Sequence, residues 1–174
     1  MLDTVAGLPV HVLVIHAVVV LTPLAALAAA AYALVPRWRS ALTWPTLSLA
    51  VVSAPSAVVA ASSGEALEGR LRALGLQDPA LETHTEAGDL ARTVVVVFAV
   101  VVVLAVLWLL PSRSGRVPRL PVVGSPAVAL AARVILVLVS LAALWFVVRA
   151  GHTGAQVAWG DVVQQSQGLP HGGG

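Results

Sequence analysis

The sequence predicts an all-α integral membrane protein, a four-helix bundle with both termini on the outer side, and three observations carry this expectation. Of the 174 residues, 59% are hydrophobic and only 10% charged, and the mean hydropathy of +0.94 exceeds what a water-soluble domain of this size tolerates. Four segments, residues 10–35, 44–62, 93–110 and 127–149, are apolar and long enough for a bilayer core, which needs about 20 residues of helix. Arginines gather in the loops on one side of this plan and carboxylates on the other.

The first span follows Met1-Leu2-Asp3, with no basic stretch before it and no small-residue cleavage site after it, so it is expected to be a retained helix rather than a signal peptide. The loop behind it carries Arg37 and Arg39. The second span leads into an outer connecting segment, residues 63–92. Within that segment Asp78-Pro79 pairs an N-cap acid with proline at the first helical position, so the third helix should start about ten residues before its apolar span. Arg113, Arg116 and Arg119 follow the third span, and the fourth runs into a flexible tail, residues 160–174, rich in glycine at its end. Pro23 and Pro55 lie inside spans one and two, where kinks are expected. Runs of small residues, as in Ala25 to Ala31 and Ser53 to Ser63, favour close helix approach. No internal repeat and no soluble domain is expected.

Orientation follows from charge. Neither arginine loop contains an acid, whereas the N-terminus, residues 63–92 and the tail hold all eight: Asp3, Glu65, Glu68, Asp78, Glu82, Glu86, Asp89 and Asp161. Basic residues collect in cytoplasmic loops, so the arginine loops are expected inside and both termini outside a bacterial cytoplasmic membrane. Trp38, Trp44 and Trp108 would mark the inner interface, Trp145 and Trp159 the outer one. The chain has no cysteine, which removes disulfides, thiolate catalysis, iron–sulfur clusters and cysteine zinc sites. It has no lysine either, and the pI of 10.4 reflects a small arginine excess rather than a nucleic-acid-binding surface. No hydrolase or transferase motif is present.

The five histidines all fall on the expected outer side. Counting about 1.5 Å of rise per residue from the inner helix ends sets His11, His84 and His152 about 36 to 39 Å up, and His16, Glu65 and Asp89 about 29 to 32 Å up. An ionisable group inside a membrane is a functional candidate, which singles out the deeper His16. His84 is a candidate to share a ligand set with His16 or His11, and Glu65, Asp89 and Glu86 could accept an imidazole N–H. His11 and His16 point about 140° apart on one helix and are not expected to hold one ion. His152 is expected in a turn between Gly151 and Gly154, and His171 in the tail.

Gly7-Leu8-Pro9-Val10-His11-Val12-Leu13-Val14-Ile15-His16, with Pro23 beyond, resembles the opening of the bacterial membrane proteins grouped as domain of unknown function 2231. Ser63-Gly64-Glu65, His84 in its acidic context, and Gly151-His152-Thr153-Gly154-Ala155 with Trp159 are similar to its actinobacterial members. The resemblance implies a four-helix membrane protein similar in plan to small b-type cytochromes, and so makes haem b a hypothesis. Its first-helix histidine pair falls on His11 and His16, its third-helix histidine on His84. The leading expectation is a membrane electron-transfer subunit with one haem near the outer face, held by His16 and His84, with His11 as substitute for either, and a quinone or redox protein as partner. The alternatives are a zinc or copper site drawing on His11, His84, His152, Glu65 and Glu86, and a structural subunit of a larger complex or homo-oligomer. The inner half offers no polar path that would suit a transporter.

Overall fold

The computed structural model describes residues 4–5, 7–75, 78–109 and 125–167. Two antiparallel two-residue strands, β1 (Thr4–Val5) and β2 (Leu8–Pro9), turn at Gly7, whose φ of 81° suits glycine. They lead into α1 (Val10–Leu34). A 3₁₀ turn over Pro36–Trp38 joins α1 to α2 (Arg39–Ala73). Helix α3 (Pro79–Leu104) ends in a π-helical turn, Ala105–Leu109, and α4 covers Pro126–Gln167. All four helices are long and apolar enough to cross a membrane. Asp3, Arg113, Arg116, Arg119 and His171 lie outside the described residues, as does the side chain of Trp108.

The helices outrun the expected spans. Within the outer connecting segment, residues 63–92, α2 continues to Ala73, Gly75 takes a φ of 77°, and α3 begins at Pro79, where the Asp78-Pro79 signal predicts it. Asp78 caps α3 as expected, its carboxylate accepting from the Ala80 N–H at 2.8 Å. Helix α4 likewise continues through residues 160–167, which were expected in the tail, and His152 is helical rather than part of a turn. No proline interrupts that stretch, and isolated glycines such as Gly151, Gly154 and Gly160 weaken a helix by only about 1 kcal/mol each. α1 passes through Pro23, and α2 through Pro45 and Pro55, without a break in helix.

Each helix packs on its sequence neighbours, and α1 also on α4, so α1 and α3 stand diagonally across the bundle. The buried stripes are made of small residues. In α1 it runs Val18, Thr22, Ala25, Ala29, Tyr32 and Ala33, and in α3 Ala87, Ala91, Val95, Phe98 and Val102. The main core lies toward the arginine end, where Tyr32, Phe98 and Leu136 are fully buried among alanines. A thinner cluster of Val18, Ala57, Ala60, Ala91, Val95 and Val147 continues toward the histidine end. Ser53 and Ser140 are buried and donate to the carbonyls of Leu49 and Leu136 in their own helices, both at 2.7 Å. Large apolar side chains such as Leu27, Val100 and Leu138 face outward, as lipid contact requires.

Because helices in lipid associate through close packing rather than water exclusion, a larger residue in the seam should hurt and a smaller one outside it should not. Ala29, fully buried, changed to leucine should cost about 1–3 kcal/mol, whereas Leu27→Ala should fall within about 0.5 kcal/mol of wild type. SDS titration of the detergent-solubilised protein measures both.

Candidate functional site

At the histidine end the buried stripes meet imidazoles instead of alanines. His11 lies one helical repeat before Val18 on the inward stripe of α1, and His84 stands one turn before Ala87 on that of α3. Their rings approach from diagonal helices to a centroid separation of 6.1 Å, with planes 74° apart. Both line a cavity of about 360 Å³ walled by all four helices, including Ile15, Ala57, Gly88 and Val157, mostly apolar.

Each ring is seated on the following helix. His11 Nδ1–H donates to the carbonyl of Ala60 in α2 at 2.8 Å. A Cβ on Gly64, one turn further along α2, would stand 3.0 Å from that ring. In α4 the Thr153 hydroxyl donates to the carbonyl of Ala150 at 3.0 Å, so its oxygen accepts from His84 Nδ1–H at 3.1 Å. A Cβ on Gly154 would meet the His84 ring at 2.9 Å. The two seats share a sequence pattern, alanine with a hydroxyl three residues later and glycine at the fourth: Ala60, Ser63, Gly64 and Ala150, Thr153, Gly154. They differ in contact, because His11 bonds the carbonyl itself while His84 bonds the hydroxyl, and Ser63 donates to Val59 O at 2.7 Å with Ala60 O at 3.0 Å. The α1–α2 hairpin and the α3–α4 hairpin thus use one local device twice. Periodicity of hydrophobicity is uniform along these helices and hides it; the recurring Ala-x-x-Ser/Thr-Gly is the signal that carries it.

The seats also fix the chemistry. With Nδ1 protonated and engaged on both rings, the Nε2 lone pairs are the ones free to bind a ligand. At the mouth Arg92 of α3 pairs with Glu65 of α2 at 3.1 Å and with Asp89 at 3.2 Å, tying the two helices beside the cavity. Glu68, largely buried, lines the wall and pairs with Arg72 at 2.6 Å.

The remaining candidates are not brought together. His16 is exposed, its Nδ1 donating to Val12 O of its own helix at 2.7 Å, and it lines no part of the cavity. The structure sets His84 against His11 rather than His16, because the angular offset along α1 turns His16 away once His11 faces inward. His152 and Glu86 are exposed and outside the cavity lining, while Glu65 lines it but is engaged by Arg92. Among the described residues no group of three or more histidines and carboxylates could hold a metal ion. Thr153, Gly64, Gly154 and Arg92 are site residues that sequence reasoning did not assign to this role.

Fold and site together define a multi-pass, four-helix membrane protein with a paired-imidazole cavity at one end of the bundle. The chain belongs to the family described as predicted membrane protein (DUF2231), whose model matches residues 7–167. No curated protein and no solved structure matches the chain.

The seats predict opposite outcomes for glycines that helix propensity treats alike. Gly154→Ala should displace the His84 ring and lower stability by about 1–3 kcal/mol. Gly151→Ala, where an added Cβ meets nothing within 4 Å, should raise stability by about 0.5–1 kcal/mol. Thermal melts of the two variants check the difference in sign.

Proposed function

We propose that the protein is a membrane electron-transfer subunit that holds one b-type haem between His11 and His84. The observation that carries this reading is the pair of imidazoles on diagonal helices, each with Nδ1 tied down and Nε2 free. The two rings stand 6.1 Å apart beside one cavity, so a single group could engage both. A bare zinc or copper ion needs further protein ligands, and no third group joins the two histidines among the described residues. A porphyrin brings its own equatorial nitrogens and asks the protein for two axial ligands alone.

His11 and His84 would hold the group, with Ala60 O and Thr153 Oγ1 orienting the imidazoles and fixing their tautomer. Ile15, Ala57 and Val157 give the cavity a largely apolar wall. Haem supplies one-electron chemistry when bound, and filling both axial positions favours electron transfer over oxygen activation. The charge bias of the loops supports a site near the outer face of the cytoplasmic membrane, with a quinone or an external redox protein as partner.

The test is the reduced-minus-oxidised absorption spectrum of detergent-purified protein expressed with adequate haem. A b-type spectrum at about one haem per chain is expected, lost in His84→Ala and His11→Ala and kept in His16→Ala. Retention in His84→Ala, or a colourless wild type, would overturn the reading. A spectrum lost in His16→Ala and kept in His11→Ala would move the axial pair to His16 and His84.

A further inference from the structure

The opposite end of the bundle poses an electrostatic problem that the chain does not solve. Arg39, at the start of α2, donates from Nε to the carbonyl of Tyr32 at 3.1 Å near the C-terminus of α1, and its guanidinium stands 5.5 Å from the centre of the Tyr32 ring. Thr43 buttresses it from the next turn by donating to Arg39 O at 2.6 Å. Arg133 comes from α4, next to Ala132, which packs in the same buried cluster as Tyr32 and Ala33, the two residues whose carbonyls hold Arg39. Both arginines are partly buried, and Arg133 Nε is fully enclosed without a hydrogen-bond partner.

No carboxylate is available to balance them. The sequence has no aspartate or glutamate between residues 4 and 64 or between residues 90 and 160. These stretches include the loop between α3 and α4, so no acid at this end of the bundle can serve as counterion. Two guanidiniums partly withdrawn from water at one end of the bundle are costly unless an anion joins them. The fork of an arginine matches phosphate oxygens, and Arg39 is already fixed in place by backbone carbonyls. Depth agrees. Trp38 and Trp44 are exposed at the same end, as tryptophans at a membrane interface are, and Arg133 sits about 10 Å along α4 from Pro126, within reach of that interface for a long side chain.

We infer that Arg39 and Arg133 form a binding site for a phosphate oxyanion at the arginine end of the bundle, between α1, α2 and α4. The phosphate of a phospholipid headgroup and a free phosphate ion present the same chemistry, and the test separates them. The site is independent of the histidine cavity.

Thermal melts of the full chain in detergent, with added phosphatidylglycerol, diacylglycerol of the same acyl chains, or inorganic phosphate, decide the matter. Phosphatidylglycerol should raise Tm by roughly 5 °C and diacylglycerol should not. Arg133→Gln and Arg39→Gln should each weaken the response roughly tenfold, whereas Arg149→Gln, an exposed arginine near the other end, should retain it. A shift with inorganic phosphate alone would support the site and identify the free ion as sufficient. An equal shift with diacylglycerol, no shift with any of the three, or an unchanged response in Arg133→Gln would overturn the inference. The wild-type responses decide it even where a variant fails to fold.

Discussion

Close approach of four helices through small side chains is the constraint on which the rest of the structure depends. Lipid offers helices no hydrophobic gain on association, so contact quality holds them together. The alanines of α1 and α2, with Ala99, Ala132 and Ala143, bring the backbones near enough for Tyr32, Phe98 and Leu136 to fill what space remains. At the histidine end the same stripes place His11 and His84 on the inside, and an imidazole is too large for an alanine seam. Gly64 and Gly154 resolve the conflict by opening a seat on the facing helix. The cavity is therefore what remains when a tightly packed bundle admits two rings in place of two methyl groups.

That origin explains why the site is symmetric in construction. Each hairpin contributes one histidine from its first helix and one carbonyl–hydroxyl–glycine seat from its second. Neither hairpin alone provides a pair of ligands, so any ligand spanning both rings also joins the two halves of the bundle. Charge divides the molecule along the other direction. At the histidine end Arg92 pairs with Glu65 and Asp89 and Arg72 with Glu68, while the arginine end has no acid to offer. One end thus carries a ring-lined cavity and the other an arginine excess.

Much of this was legible in the sequence. Span positions, the Asp78-Pro79 helix start and the gathering of histidines at one end follow from hydropathy, capping chemistry and counting. The second and fourth helices run longer than their apolar spans because their outer turns are polar yet hold no proline, and hydropathy marks where lipid ends rather than where hydrogen bonding ends. Depth was a poor guide to the site. It favoured His16, whereas the face of the helix decides: His11 continues the stripe through Val18 and Thr22, and His16 does not. The seats were harder to find, because Ala60 acts through its carbonyl and Gly154 through an absent Cβ, neither of which residue chemistry advertises. Only the recurrence of alanine, hydroxyl and glycine at the same spacing in α2 and α4 betrays them.

The central proposal is that two imidazoles, one from each hairpin and set near a right angle, would together hold a single b-type haem. Electron paramagnetic resonance of the oxidised, haem-loaded protein tests this most directly, because the ferric spin state reports the axial ligands and the anisotropy of the signal reports the angle between their planes. The planes observed at 74° predict a low-spin signal of the strongly anisotropic kind that near-perpendicular imidazoles produce. A high-spin signal, or a protein that takes up no haem, would contradict the account.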